Sequence, residues 1–195
     1  MTPPTAFDWK RQLKVLNSLL LAVIADELDE PHYEYLAERP DPRWLGGKPA
    51  TARAIASMEE RLGITLPDAY RAFFQASDGW VRADGFPHRL AELLDTPRVF
   101  WLGTDNRRDL AQFRELMRGL SHLFEPPLAS DDDPLDRVLC IGDFDGNECI
   151  LYIVCDRTDD WPVVLWDPED GARHRVSLVE VFRGELDYRL REAAG

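Results

Sequence analysis

The sequence predicts an α+β fold in which helices precede and follow an antiparallel run of strands. Three observations carry this. Residues 7–28 and 52–74 repeat apolar side chains at helical steps of three and four. Residues 138–166 hold three short runs rich in β-branched, aromatic and aliphatic side chains. Asp145-Gly146 and Asp170-Gly171 punctuate that section as tight turns do. A length of 195 residues suits one domain with modest additions, since a domain takes about 100 to 200. With 45% hydrophobic and 30% charged residues, the composition is that of a packed globular chain and not a disordered one.

The elements follow in order. From Phe7 to Leu28 there is no Gly or Pro, and Trp9, Leu13, Leu16, Leu20, Ile24 and Leu28 form one helical stripe. The second half of this helix is apolar nearly all round, so it docks on the body of the protein or on another copy of itself. Prolines 31, 40, 42 and 49, with Gly46 and Gly47, break any period and mark a connector. Thr51 then caps a helix carrying Ile55, Met58 and Leu62, and Gly63 closes it in the left-handed region that glycine enters without a Cβ penalty. Pro67 opens a second helix, where its missing N–H is harmless, and Tyr70, Phe73 and Phe74 form its inner face. Asp78 and Gly79 end it in a turn.

Val99 to Leu102 reads as a short strand, and Leu110, Phe113, Leu116, Met117 and Leu120 as an amphipathic helix. Glu125 to Asp136 is a loop rich in Pro and Asp. Val138 to Ile141 and Cys149 to Val154 then form an antiparallel hairpin, with Val163 to Trp166 returning alongside. Leu178, Val181, Phe182, Leu186 and Leu190 give one or two helical stretches, with Gly184 a point of interruption. One core should therefore gather Ile55, Met58, Leu62, Leu66, Tyr70, Phe73, Phe74, Ile141, Leu151, Ile153 and Leu165.

Charge narrows the partners. With 36 Asp and Glu against 23 Lys and Arg, the formal net charge is −13. Such a surface repels phosphate backbones and anionic lipid, so direct nucleic-acid and membrane binding are poor readings. Acidity serves either solubility or a basic protein partner. Cys140, Cys149 and Cys155 are odd in number, lie in apolar runs and lack C-x-x-C spacing, which points to buried thiols and a cytoplasmic, reducing setting. The run from Leu19 to Ala25 follows Lys10, Arg11 and Lys14 but is short and has no small-residue cleavage site, so it is not expected to be a secretory signal. A bilayer span needs about 20 apolar residues.

The chemical motifs fail one by one. His32, His88, His122 and His174 are scattered without an H-E-x-x-H pair, and no metal site is expected. Asp143 to Glu148 alternates oxygen donors as a calcium loop does, yet Glu148 and Val154 stand where the loop requires Gly and Glu. Gly46-Gly47-Lys48 lacks the first glycine and the following Ser or Thr of a phosphate loop. No G-x-S-x-G elbow is present. Asp159 and Asp160 beside Trp161 offer a carboxylate pair, but carboxylates are too numerous here for a pair to mean much. The expectation is a non-enzyme with no cofactor and no metal.

One joined pattern is more specific: Trp44-Leu45-Gly46, then Ala52 to Leu62, Gly63, Leu66-Pro67, Tyr70, Phe73-Phe74 and Asp78-Gly79-Trp80. It resembles the N-terminal motif of the SMI1/KNR4 family of the SUKH superfamily, E-x-x-L-G-x-x-L-P-x-x-Y-x-x-F/L followed by an N-G or D-G turn. Glu59 and Glu60 both offer the leading acid. Leu139 to Phe144, Ile150 to Val154, Val164 to Asp167 and Leu178 to Phe182 resemble the family's strands and closing helix.

The resemblance implies helices packed on a mainly antiparallel sheet, with the helix at residues 7–28 an N-terminal extra. The expected organisation is an N-terminal helix and connector at 1–43, a family domain at 44–184 and a helical tail at 185–195. For bacterial members the resemblance implies immunity proteins that bind and neutralise a toxin of a polymorphic secretion system; for fungal members it implies interaction hubs in cell-wall regulation. The motif residues themselves are explained by folding and name no binding site. Acidic turns beside aromatics are the candidate contacts with a cognate toxin domain: Asp78, Trp80, Asp143, Asp145, Asp159, Asp160 and Trp161. Each has a plainer reading, in which the tryptophans are core and the aspartates form turns.

Overall fold

The computed structural model describes residues 7–27, 41–80, 92–105, 109–144, 148–156, 159–167, 171–175 and 177–194. Leu28, Pro31, Pro40, Asp145, Gly146 and Asp170 lie outside the described residues. In chain order the helices are α1 (Trp9–Glu27), α2 (Ala52–Leu62), α3 (Asp68–Ala76), α4 (Ala111–Gly119) and α5 (Leu178–Glu192). The strands are β1 (Phe100–Trp101), β2 (Val138–Phe144), β3 (Glu148–Ile153), β4 (Val163–Asp167) and β5 (Gly171–Arg175). They form one sheet in the order β1-β2-β3-β4-β5, antiparallel at every pairing.

The sheet is covered on both faces. Tyr152 of β3 meets Tyr70 of α3, ring centroids 4.8 Å apart, while Trp166 of β4 meets Phe113 of α4 at 5.6 Å. Tyr152 pairs with Val163, three residues from Trp166, so strand alternation puts these contacts on opposite faces. That is why β2 from Val138 to Gly142 and β3 from Cys149 to Ile153 are buried without alternation. Of the eleven expected core residues, ten are buried and Leu165 is partly buried against them.

Local chemistry sets the helix ends. The Thr51 hydroxyl accepts the Ala54 N–H at 3.1 Å, and Gly63 leaves α2 at φ 69° with its N–H turned back to the carbonyls of Glu59 and Glu60. The Glu59 carboxylate accepts the Leu66 N–H at 2.8 Å and an Arg71 N–H at 2.6 Å. Glu59, not Glu60, therefore ties the end of α2 to the start of α3. Pro67 flanks α3 immediately ahead of its first residue. At the far end of the chain, Ser177 caps α5 through the Glu180 N–H at 3.1 Å, and the helix runs through Gly184 without a break.

Helix α1 docks within its own chain. Trp9, Leu13, Leu16 and Leu20 are buried as the period predicts, and the helix packs on α3 and α5. Trp9 stands edge-on to Phe73 at 5.3 Å and to Phe182 at 4.9 Å. The side chain of Asn17 donates to the Arg43 carbonyl at 2.9 Å and accepts the Leu45 N–H at 2.8 Å, so the helix also holds the segment leading into the family motif. The stripe is thus occupied in cis from Trp9 to Leu20.

Strand β5 is an element that the hydrophobic pattern did not predict. Ala172 to Arg175 are exposed, and three of its residues are Arg173, His174 and Arg175. Charged side chains on an edge strand discourage pairing with another chain, which explains a strand without an apolar face.

Candidate functional site

The candidate residues fall in three separate places. Asp78 and Trp80 lie in the turn after α3. The Asp78 carboxylate accepts the Thr96 N–H at 2.7 Å and the Thr96 hydroxyl at 3.1 Å. Burial pushes its carboxyl above the ordinary range, against those two hydrogen bonds. Trp80 is only 2% exposed; its ring stands edge-on to Trp44 at 5.4 Å, and its backbone pairs with Leu93 in both directions at 2.9 and 2.8 Å. Bridges Gly46 to Trp80, Trp80 to Leu93 and Leu93 to Gly142 carry this pairing onto β2. A side chain on Gly47 would collide with the Asp78 carbonyl, which accounts for glycine there. The turn is a latch between the motif and the sheet, and the burial of Trp80 matches its plainer reading as a core ring.

Asp160 and Trp161 are likewise turned inward, with 7% and 2% exposure. The Asp160 carboxylate accepts the Tyr152 hydroxyl at 2.8 Å, the Trp161 N–H at 3.0 Å and the Val179 N–H at 3.4 Å. It therefore binds β3, the loop before β4 and the first turn of α5 together. Burial raises its carboxyl, while these donors work in the opposite sense. Trp161 stands edge-on to Tyr152 at 5.7 Å. The neighbouring carboxylates diverge: Asp160 points into the core and Asp159 is exposed. Trp161 and Asp160 thus match the plainer readings given for them, since a ring and a carboxylate with this many internal partners are kept from solvent.

Asp159 belongs to an acidic rim. Its carbonyl accepts the Ala69 N–H at 3.3 Å, which seats it beside the first turn of α3 with exposed Asp68. Nearby loops are joined by the Asp156 N–H donating to the Glu125 carbonyl at 3.3 Å. Arg137 clamps them, donating to the carbonyls of Pro126 at 2.6 Å, Glu125 at 2.7 Å and Val154 at 3.2 Å. Its donors thus go to the frame. Asp131, Asp132 and Asp136 extend the rim and are exposed. Asp133 is engaged by Arg114 at 2.8 Å; burial works against its charge, but Arg114 and the Leu135 N–H hold its carboxyl below the ordinary range. Among the described residues, Glu125, Asp131, Asp136, Asp156 and Asp159 form no ion pair.

The rim occupies the end of the sheet where β2 starts, β3 stops and β4 starts. Asp143 lies at the other end, opposite Cys149, and Asp145 falls outside the described residues. The fold therefore does not bring the predicted acids together, and only Asp159 of the seven is shown exposed. The sequence reading missed Glu125, Asp131, Asp136 and Asp156 as its companions, although three consecutive aspartates at 131–133 were a signal of local charge. Cys140, Cys149 and Cys155 are buried thiols. No group of three or more His, Cys, Asp or Glu converges as a metal cage among the described residues, and none of their helices is long and apolar enough to cross a membrane.

Comparison with known proteins adds one finding. A family model described as the SMI1 / KNR4 family (SUKH-1) matches residues 49–182. Among curated proteins no match is found. The matched span runs from just before α2 into α5, so it takes in the motif helices, the latch, the whole sheet and the acidic rim, and leaves α1 outside.

Proposed function

This chain belongs to the SMI1/KNR4 family (SUKH-1), and from that premise we propose that it is a cytoplasmic immunity protein, one that binds a cognate toxin domain and neutralises it without turnover. The observation that carries the reading is the rim of exposed carboxylates, which gathers acids from several loops while Arg137 spends its hydrogen bonds on the backbone. A basic cleft, such as one shaped for nucleic acid, is the surface these charges fit. Complementary potentials of this kind accelerate encounter and fix orientation.

Asp159, Asp156 and Glu125 are placed at the centre of the contact in this reading, with Asp68 and Asp136 on its flanks. The latch at Asp78 and Trp80 and the bolt at Asp160 and Trp161 then act indirectly, by holding the loops that display the rim. Buried thiols suit a reducing compartment.

The direct test mixes the purified protein with the toxin domain encoded beside it. A complex of one chain per toxin site and loss of toxicity at that ratio are expected. The charge reversals Asp156→Lys with Asp159→Lys should slow association at least about tenfold, within the range attributed to electrostatic steering. Neither complex nor protection would leave the chain a family interaction module with another partner, and unchanged association by the double variant would move the contact away from the rim.

A further inference from the structure

Two of the four histidines, separated by 52 positions in sequence, are neighbours in space. His122 lies in the 3-10 turn Ser121–Leu123 that follows α4, and His174 lies in β5. Their ring centroids are 6.0 Å apart with planes at 82°, and both side chains are exposed. Two imidazoles bound to a single ion, each nitrogen about 2.0 to 2.1 Å from it, hold their centroids about 5 to 6 Å apart. The observed spacing is already close to that, and exposed histidines reorient about χ1 and χ2 at little cost.

The backbones on which they sit are fixed. β5 is paired along its length with β4, where His174 stands opposite buried Val164. The turn holding His122 is closed by the Leu123 N–H to the Leu120 carbonyl at 2.9 Å and the Phe124 N–H to the Ser121 carbonyl at 3.2 Å. Phe124 itself is buried. Among the described residues, no hydrogen bond engages a ring nitrogen of either imidazole.

From this geometry we infer that His122 and His174 form a two-histidine site for a divalent transition-metal ion of the zinc class, completed by water. Imidazole suits Zn²⁺, Ni²⁺ and Cu²⁺, whereas Ca²⁺ and Mg²⁺ take oxygen donors. An ion held there ties the edge strand to the layer that covers the opposite side of the sheet from α3, so that binding stabilises the exposed edge. The buried thiols of Cys140, Cys149 and Cys155 do not compete for it in the folded chain.

The test is calorimetric titration of the full chain with Zn²⁺ and, separately, with Ni²⁺. One ion per chain is expected, together with a rise in Tm that grows with ion concentration as binding to the native state requires. Second-sphere partners alone are worth about 10- to 100-fold in affinity, so His122→Ala and His174→Ala should each weaken binding at least about tenfold. The double variant should lose less than the product of the two single losses, because the two rings serve one ion. Circular dichroism confirms folding of the variants, and His174→Asn provides a second substitution on β5. Ion uptake of unchanged affinity after either single substitution overturns the inference, as does the absence of uptake by the wild-type chain at millimolar Zn²⁺ and Ni²⁺.

Discussion

Asp160 concentrates several structural duties in one side chain. Its two oxygens accept from β3, from the loop before β4 and from the first turn of α5. Replacing it by Ala leaves the Tyr152 hydroxyl and two backbone N–H groups short of a partner. At about 1 to 3 kcal/mol for each buried polar group left unsatisfied, partly offset by solvent entry, a loss of about 2 to 4 kcal/mol is expected in urea denaturation. The pH dependence has a definite sign. Burial holds the folded-state carboxyl above its unfolded value, so the folded chain binds the proton more tightly. Its contribution to stability is largest below the ordinary carboxylate range and declines as pH rises through the raised value. The stability difference between wild type and Asp160→Asn, which cannot ionise, should therefore shift against wild type over that window. A difference flat across acidic pH would contradict the assignment.

At the scale of elements, Trp9 joins α1 to two other helices. Its ring meets Phe73 of α3 and Phe182 of α5, and it also meets Phe7 edge-on at 4.7 Å. Truncation of a buried aromatic costs about 3 to 5 kcal/mol, so Trp9→Ala should lower the unfolding free energy by that amount, read as a lower urea midpoint with little change in slope. Combined with Phe182→Ala, the loss should fall short of the sum, since the removed rings share a contact worth about 0.5 to 1.5 kcal/mol beyond their area. Additive losses would show that Trp9 and Phe182 do not interact in solution. The end of α2 offers a smaller test. Gly63 sits at φ 69° with open space where a Cβ would project, so Gly63→Ala incurs conformational strain without a clash, about 1 kcal/mol by the same denaturation.

Across the whole molecule, net charge and its placement govern encounter with a partner. A formal charge of −13 acts over a Debye length of about 8 Å at physiological ionic strength and about 3 Å at 1 M salt. Under the proposed function, association with the toxin domain should therefore slow at least about tenfold from low to high salt in stopped-flow measurements, with a much smaller change in dissociation. An on-rate independent of salt would place the contact on a neutral face.

Much of this protein was legible in one dimension because its determinants are local. Caps at Thr51 and Gly63, the helical stripe from Trp9 to Leu20 and the apolar runs of β2, β3 and β4 follow from propensity and period within a few residues. β5 was not legible, since a charged edge strand has no apolar alternation and is defined only by the strand beside it. The candidate contacts divided for a similar reason. Sequence determined that acids and tryptophans stand near turns, but the tertiary structure decided which of them face inward: the side chains of Trp80, Asp160 and Trp161 meet partners that lie far away in the chain, whereas the Asp159 side chain is exposed. Charge sums and short motifs are properties of order along the chain. Burial, the acidic rim and the approach of His122 to His174 arise from segments brought together by packing, and only the folded chain specifies them.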